Sequence, residues 1–403
     1  MDPAKSPLVT APEAPATPEP LKPLRGIRVL ALEQFAAAPY GSMFLADLGA
    51  EVIKVENALT GGDAARYGGP YPLGAADSEY FQGWNLNKRS VALDLTSAEG
   101  RQALERLVAG AHAIIDNLRG DVPAKLGLDY ASLSAFNPAI VCLHISAYGR
   151  DNERAARPGY DYLMQAEAGL MSLTGEPDGP PARFGTSTID FMSGMTGIVG
   201  LLACLLEARQ TGRGCDVDVS LFDVALHQLN YVATWYLNEG HVTGRMERSA
   251  HVSVGPVQTY ATSDGWVYVM CMKEKFWSAL AQGLGRPDLE LDPRFATLEL
   301  RHRNGKALTA CLDAEFSRHS TQHWLRELGE RLPIAPVHDL PQALDNPFVA
   351  RSGMIATVPH PERPSLKVLA NPIRLNGERL TQAVCSAVGA DNESLLGTPP
   401  SKP

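Results

Sequence analysis

The sequence is short of positive charge: 36 Lys and Arg stand against 45 Asp and Glu, a formal net charge of −9. General nucleic-acid binding leaves a basic footprint, so no nucleic-acid partner is expected. An anionic small ligand stays open, because a few cations lining a cleft suffice. Cysteine is sparse. Cys142, Cys204, Cys215, Cys271, Cys311 and Cys385 are spread over 403 residues, and no two are spaced C-x-x-C. That fits neither a disulfide framework nor a zinc site, so no metal is expected, and the thiols read as reduced and mostly buried in a cytoplasmic protein. The longest strictly apolar run, Gly197 to Leu206, falls well below the roughly 20 residues of a membrane span. No membrane partner is expected, and the run reads as a buried core helix. Met1 to Pro23 carries seven prolines and no apolar core, which argues against a signal peptide and predicts a disordered tail over 1–23.

What is present reads as an α/β protein. Apolar residues make up 45% and charged residues 20% of a chain too long for one ordinary core, so two domains are expected. Ile27–Leu32 reads as a buried strand, Tyr40–Leu48 as a helix that starts at Pro39 and stops at Gly49, and Val52–Val55 as the next strand. Strand, helix and strand within 30 residues is the pattern of a parallel unit. It recurs in Val91–Leu95, Ala98–Val108, Ala113–Asp116 and Ile140–Ile145. The fold class is therefore a doubly wound, Rossmann-like parallel sheet, with ligands expected beyond the carboxyl ends of its strands. No G-x-G-x-x-G follows the first strand, which runs instead into Glu33-Gln34-Phe35-Ala36-Ala37-Ala38-Pro39. A dinucleotide dehydrogenase is disfavoured, although small residues here still allow a ligand close to the backbone.

Further on, a long helix is predicted from Phe191 to Gln210, a strand over Val217–Leu221 and one helix over Phe222–Glu239. Val257–Ala261 and Trp266–Met270 flank Thr262-Ser263-Asp264-Gly265 and read as an antiparallel hairpin. Helices near Lys273–Gly283, Gly305–Ser317 and Thr321–Arg331 complete a smaller α+β domain. The expected boundaries are a large domain over 24–220, a linker helix over 221–240, the small domain over 241–345, and a segment over 346–403 that returns to the large domain.

Several stretches, in their order and spacing, carry a family resemblance: Leu24–Leu30 (LRGIRVL), Leu45–Glu56 (LADLGAEVIKVE), Asn87-Lys88-Arg89-Ser90, Pro158-Gly159-Tyr160-Asp161, Gly169–Gly175 (GLMSLTG) and Thr211-Gly212-Arg213-Gly214. From Leu24 to about Leu375 the chain resembles the class III coenzyme A transferases, the CaiB/BaiF family. The resemblance implies an interlocked homodimer, CoA thioester as substrate rather than a prosthetic group, and an aspartate nucleophile in a segment like Thr188-Ile189-Asp190-Phe191-Met192-Ser193-Gly194. That aspartate is Asp190. Read from the residues alone, Asp190 sits near a helix N-terminus, where free N–H groups and the macrodipole stabilise a carboxylate, and an N-cap residue would look the same.

The resemblance also implies CoA contacts along the strand ends. Ala36 and Ala37 follow the first strand. Asn57 matches a position that is arginine in members resembling formyl-CoA transferase. Leu93 and Thr96 fall on the adenine side, Asn117, Leu118 and Arg119 in the next turn, and Ser146 and Ala147 in the turn after Ile145. Lys125 matches a basic residue that meets phosphate. Asn57 and Thr96 are neutral where oxalate-pathway members are basic, so Arg66, Arg89 or Arg150 are expected to substitute. Gln34, Tyr160 and His251 match substrate positions, with His251 either contacting substrate or ordering its loop. The loop Arg248–Pro256 carries one glycine and resembles the Asn-x-His-Pro version of the family loop, with Val252 in place of proline.

The implied activity moves CoA from an acyl-CoA donor, with succinyl-CoA expected, to a small acid of the itaconate, citramalate or sulfinopropionate class, through aspartyl anhydride and aspartyl-CoA thioester intermediates. Ser187, Thr188, Arg183 and Arg248 are candidates for the remote acid group. Two alternatives stand beside it. α-Methylacyl-CoA racemases share the fold but use a histidine where this chain has Tyr160, and a phenol with an ordinary pKa near 10 is a poor base at neutral pH. A non-catalytic CoA-binding protein would bind CoA without forming an aspartyl adduct.

Overall fold

The computed structural model describes residues 21–397, so all but the last residues of the expected tail lie outside the described residues. Six strands, β1 (Arg28–Leu32), β2 (Glu51–Asn57), β3 (Arg89–Leu93), β4 (Ala113–Asp116), β5 (Val141–Ser146) and β6 (Cys215–Ser220), form one sheet. Their order is β3-β2-β1-β4-β5-β6, and every pairing is parallel. Leu30 sits between Ile53 and Ile114 in that register. Aliphatic runs of this kind suit strands covered on both faces. The helices are α1 (Ala37–Asp47), α2 (Glu79–Asn85), α3 (Ala98–Ala109), the single turns α4 (Pro123–Leu126) and α5 (Tyr130–Leu133), then α6 (Asp161–Glu167), α7 (Thr188–Thr211), α8 (Leu221–Gln228) and α9 (Asn230–Glu239). Leu45, Ile198, Leu201 and Leu205 of α1 and α7 pack on one face, with Val29, Ala31, Ile115 and Leu143. Leu104, Leu107 and Val108 of α3 pack on the other, with Leu30, Ile53, Ile114 and Cys142. The sheet is therefore doubly wound, and its order reverses between β1 and β4, where a crevice opens.

Several elements depart from the sequence-based expectations. β3 ends at Leu93 rather than Leu95, because Asp94 accepts hydrogen bonds from the N–H and hydroxyl of Thr96, and Ser97 then caps α3. The helix expected over Phe222–Glu239 is two helices, broken where Asn230 takes φ +44°. α7 begins three residues before Phe191, which places Asp190 inside its first turn rather than before it. α7 has 24 residues, and an 18-residue window of it has a mean hydropathy of 1.8, so it is long and apolar enough to cross a membrane. Counting only strictly apolar residues missed this, because Ser193 and Thr196 interrupt the run. α7 packs on α1 and on β5 and β6, but only 39% of that window is buried, and Val199 and Leu206 are exposed, so the expected buried core helix is in fact covered on one side only.

The crossing of α1 and α7 depends on two glycines. A Cβ at Gly194 would lie 2.3 Å from the Ala37 carbonyl oxygen, and one at Gly41 would lie 2.7 Å from that of Gly194. No side chain fits, so the helix backbones touch, and the first turn of each is brought to the same crevice.

The smaller sheet has the expected hairpin, β7 (Val257–Ala261) and β8 (Trp266–Met270), plus a third strand, β9 (Ile334–Pro336), that the sequence did not reveal. Tyr260, Val267, Trp277, Leu312, Phe316 and Trp324 form its core with the helices 274–283, 305–316 and 321–328. The chain then returns to the large sheet. Asp391 and Asn392 accept hydrogen bonds from Ser90 and Ala92 N–H along the edge of β3, which shields that edge.

Candidate active-site cleft

At the crevice the chain leaves β1 and turns through Glu33–Ala36 into α1. Gln34 N–H donates to Asn117 Oδ1 at 2.8 Å, and Asn117 Nδ2 donates to the Gln34 carbonyl at 2.6 Å. This pair ties the turns after β1 and β4 across the point where strand order reverses. A cleft of about 250 Å³ opens on one side of it, lined by Gln34, Ala36, Ala37, Asn117, Leu118, Arg119, Ser146, Ala147, Tyr160 and Asp190. A second, of about 210 Å³, opens on the other and is lined by Asn57, Leu93 and Thr96 with Gln34 and Leu118. The structure thus brings together most of the residues singled out in the sequence, in two adjoining clefts that share Gln34 and Leu118.

A buried ionic network holds the first turn. Lys88 Nζ donates to Glu33 Oε1 at 2.6 Å, and Ser42 Oγ donates to the same carboxylate. Lys54 Nζ lies 2.9 Å from Asp63 Oδ2 and donates to the Glu33 carbonyl at 2.9 Å. Asp63 Oδ1 in turn accepts from Phe35 N–H. Phe35 is left-handed, with φ +56°, a strain that persists only where the surroundings fix it. Burial opposes ionisation of Glu33, but Lys88 and Lys54 hold its carboxyl below the ordinary range. Burial brings Lys88 down to about 8 even though its contact with Glu33 works the other way. Under β4 the counterpart is His144, whose Nδ1 lies 2.6 Å from Asp116 and Nε2 3.0 Å from Asp216. Burial would lower its pKa, but the two carboxylates raise it to about 9. His144 is thus a satisfied core residue that ties β4 to β5 and β6 beneath Asn117.

Asp190 is half-buried, and no hydrogen bond to its carboxylate appears among the described residues. Its pKa is pushed up to about 7, first by burial and then by the charge of Asp161. The free N–H groups expected to stabilise Asp190 are already in use. Asp161 Oδ2, reaching over from the start of α6, accepts from Ile189 N–H at 2.6 Å and Asp190 N–H at 3.0 Å. Gln165 fixes Asp161 by donating to its other oxygen and accepts from Phe184 N–H. The N-cap residue Ser187 makes no side-chain cap, so the N-cap alternative for Asp190 is set aside: Asp161 fills that role. Asp161 was visible in the sequence only as the neighbour of Tyr160, and nothing local marked its reach to α7.

The cleft mouth is aromatic. Tyr160 is 62% exposed and meets Phe35 edge-on at 6.4 Å. Phe191, next to Asp190, meets Tyr40 and Trp84 in tilted ring contacts at 4.8 and 5.2 Å.

Some expected residues lie elsewhere. Lys125 lines neither cleft. It is an exposed side chain paired with Asp121 at 2.5 Å, one helical turn away. The three arginines expected to replace basic residues at Asn57 and Thr96 are committed to carboxylates: Arg66 to Glu56, Arg89 to Glu51 and Asp391, and Arg150 to Asp218. Asn57 instead caps the turn at Leu59. The cations that do line the first cleft are Arg119 and Arg157. Arg157 was missed because an isolated surface arginine carries no sequence signal. His251 lies among the residues of the small sheet's loop, accepts from Ser253 N–H at 3.2 Å, and lines a different cavity. Of the candidates for a remote acid group, Arg183 stacks on Tyr162 and Arg248 pairs with Asp313.

Comparison with known proteins agrees with this architecture. A family model described as CoA-transferase family III matches residues 24–392. The succinyl-CoA:glutarate CoA-transferase of Mus musculus is 30% identical, over 90% of this chain and 83% of its own. The succinate–glutarate CoA-transferase of Agrobacterium fabrum is 33% identical, over 82% of this chain and 84% of its own. The crystal structure of a CAIB/BAIF family protein from Brucella suis superposes with a TM-score of 0.82 at 32% identity, covering 94% of this chain and 99% of that one.

Proposed function

This chain belongs to CoA-transferase family III, and we propose that it moves CoA from succinyl-CoA to a dicarboxylic acid through covalent intermediates on Asp190. The observation that carries this is the Asp190 carboxylate. It lines the first cleft, accepts no hydrogen bond among the described residues, and has its pKa pushed up to about 7, so it is partly ionised at neutral pH, fully ionised above it, and nucleophilic in that form. An Asp190 oxygen attacks the donor thioester carbonyl. The C–S bond breaks, leaving an aspartyl–succinyl anhydride and CoA thiolate. The thiolate attacks the aspartyl carbonyl of the anhydride and releases succinate, which leaves an aspartyl-CoA thioester. The acceptor carboxylate then attacks this thioester, a second anhydride forms, and the returning thiolate takes the new acyl group. Asp190 is regenerated.

With the first N–H groups of α7 held by Asp161, the donors for the tetrahedral oxyanions come from elsewhere in this reading. The N-terminus of α1 has no side-chain cap, and Ala36 and Ala37 bring it to the cleft. Backbone donors of this kind are worth roughly 10²–10³ in rate each. The adenine end of CoA takes the second cleft, beside Leu93 and Thr96, and Arg119 and Arg157 meet phosphate. The relatives named for glutarate make a five-carbon dicarboxylate the first acceptor to test, beside the itaconate and citramalate class. The reading expects a homodimer, supported by the apolar residues Val199, Leu206 and Leu237 that α7 and α9 leave exposed.

The test is direct. After incubation with succinyl-CoA, hydroxylamine or borohydride trapping and peptide mass spectrometry should place a single adduct on Asp190, and Asp190→Ala should abolish it together with transfer. Transfer without an adduct at Asp190 would end this mechanism. Exchange of the α-proton of a branched acyl-CoA, with no acceptor required, would favour the racemase.

A further inference from the structure

The segment 33–39 leads from β1 into α1, and its middle residues Gln34, Phe35, Ala36 and Ala37 line the first cleft. One buried ammonium holds both of its ends. Lys88 Nζ, on a fully buried side chain, donates to Glu33 Oε1 at 2.6 Å and to the Pro39 carbonyl at 2.9 Å. The same nitrogen reaches the end of α2, with Asn85 Oδ1 at 2.9 Å and the Trp84 carbonyl at 3.1 Å. An ammonium carries three N–H groups, so all are committed and one is shared. Lys88 lines neither cleft. It nevertheless holds two groups that flank Asp190: the open N-terminus of α1, and Trp84, whose ring meets Phe191.

The surrounding charges mark Lys88 as the cation of this network that can let go. Lys54 on β2 is also fully buried, and burial works against its charge, but Asp63 and Glu33 outweigh that and hold it above the usual lysine range. At Lys88 burial wins: its pKa falls to about 8, with Glu33 opposing the fall and Lys54 adding to it. The other groups that face it stay as they are. Burial pushes the Cys385 thiol of the returning segment up to about 12, so it remains neutral. Asp47, at the end of α1, is held by Asn87, Asn371 and Gln382. A neutral amine has two N–H donors and no charge. On losing its proton Lys88 cannot keep its acceptors, and Glu33 is left with Ser42 and with Lys54 at 3.8 Å.

We propose that Lys88 is a positioning residue for the transfer: its ammonium clasps both ends of the segment 33–39 and the end of α2, and so fixes the N-terminus of α1 and Trp84 around Asp190. The proposal rests on the Asp190 reading for what is positioned. The clasp opens when the ammonium loses its proton, so activity falls on the alkaline side while the fold persists. The folded-state pKa of Lys88 lies below the ordinary lysine value near 10.4. Between about pH 8 and 10 the unfolded chain therefore holds this proton more tightly, and the group adds stability to the folded state as pH rises. An alkaline loss of activity through Lys88 is thus not a loss of fold.

The wild-type kcat/KM for succinyl-CoA should fall through about pH 8, roughly tenfold per pH unit. Hydrogen exchange read by mass spectrometry, corrected for its intrinsic pH dependence, should show protection lost over 33–44 and over α2 in the same range. Glu33→Gln removes the charge that opposes burial of Lys88, so it should move the limb to lower pH. Where that variant is too slow to assay, the same shift is read in the exchange. A limb set by His144, which titrates at about 9 between Asp116 and Asp216, would stay in place. Lys88→Met stands in for the neutral amine. Its kcat/KM at neutral pH should be about a hundredfold lower, the scale of a misplacement of about 1 Å, with the acid limb still near 7 and no alkaline limb. If Lys88→Met does not fold, the wild-type and Glu33→Gln profiles decide alone. A profile flat above the acid limb, or a limb that Glu33→Gln leaves in place, overturns the proposal, and the Asp190 reading stands if its adduct still forms. An absent adduct, with limb and exchange moving together as stated, removes Asp190 instead and leaves the Lys88 clasp.

Discussion

Two helix N-termini converge on the first cleft, and they are finished in opposite ways. α1 opens on alanines, with no side chain capping it. α7 is closed by Asp161, whose carboxylate takes the N–H groups of Ile189 and Asp190. A carboxylate beside a free helix N-terminus is stabilised, and so becomes a weaker base and nucleophile. Closing α7 with a second carboxylate has the reverse effect: the donors are consumed, and a like charge is placed beside Asp190. Leaving α1 open keeps its donors for charge that develops during the reaction. In the proposed mechanism the same backbone feature serves the oxyanion at one helix and is withheld from the nucleophile at the other. The comparison yields substitutions of graded effect.

The largest effect should come from parting the two helices. Gly194→Ala places a methyl 2.3 Å from the Ala37 carbonyl oxygen, and neither backbone can yield without moving its helix. A loss of stability of about 1–3 kcal/mol is expected, as for other overpacked sites. Because a shift of 1 Å between reacting groups can cost roughly a hundredfold in rate, kcat should fall by about that factor at temperatures where the variant remains folded. Thermal melts and assays on the same samples separate the two losses. Full activity in a stable variant would show that the spacing of the helix ends does not matter.

A smaller and more specific effect is expected at Asp161. The proposed mechanism needs Asp190 ionised to attack, so kcat/KM should rise with pH through about 7, its raised pKa. Burial and the like charge of Asp161 both raise that pKa, so removing the charge lowers it. Asp161→Asn should therefore move the acid limb to lower pH. It should also reduce the plateau roughly tenfold, since a less basic carboxylate is a poorer nucleophile. The limb and the plateau are read from one pH profile. A merely structural Asp161 would lower the plateau and leave the limb near 7.

These elements differ in how well the sequence announced them. β1, α1 and β2 were legible because aliphatic runs, Pro39 and Gly49 mark a parallel unit locally. The residues of the two clefts were legible through family resemblance, because they follow strand ends and sheet topology carries them to one crevice. Asp161 was not, because its partners lie 28 and 29 residues along the chain and the contact exists only once α6 is packed on α7. The short helices α2 and α6 were missed for a related reason: one or two turns are stabilised by packing rather than by a periodic pattern. The fate of cations was the least legible. Arg66, Arg89 and Arg150 look like free charges in a string of letters, and each is bound to a carboxylate brought in by the fold.

The smallest expected effect tests that last point, because it asks which cations the open end of α1 shares its ligand with. Arg119 lines the first cleft, half-exposed, 3.5 Å from Asp121. Lys125 pairs with the same Asp121 but lines neither cleft. An exposed pair one helical turn apart is worth only a few tenths of a kcal/mol, so Lys125→Ala should leave stability and KM for the acyl-CoA unchanged within about twofold. Arg119→Ala should raise that KM by about threefold to tenfold with kcat nearly intact, the signature of uniform binding lost. Salt should weaken the effect of the Arg119 substitution on KM, because the attraction of an exposed cation for phosphate is screened, and should not change the already small effect of Lys125→Ala on KM. If the two residues exchange these behaviours, the phosphate lies along α4 rather than beside Arg119, and the ligand enters the clefts from the opposite side.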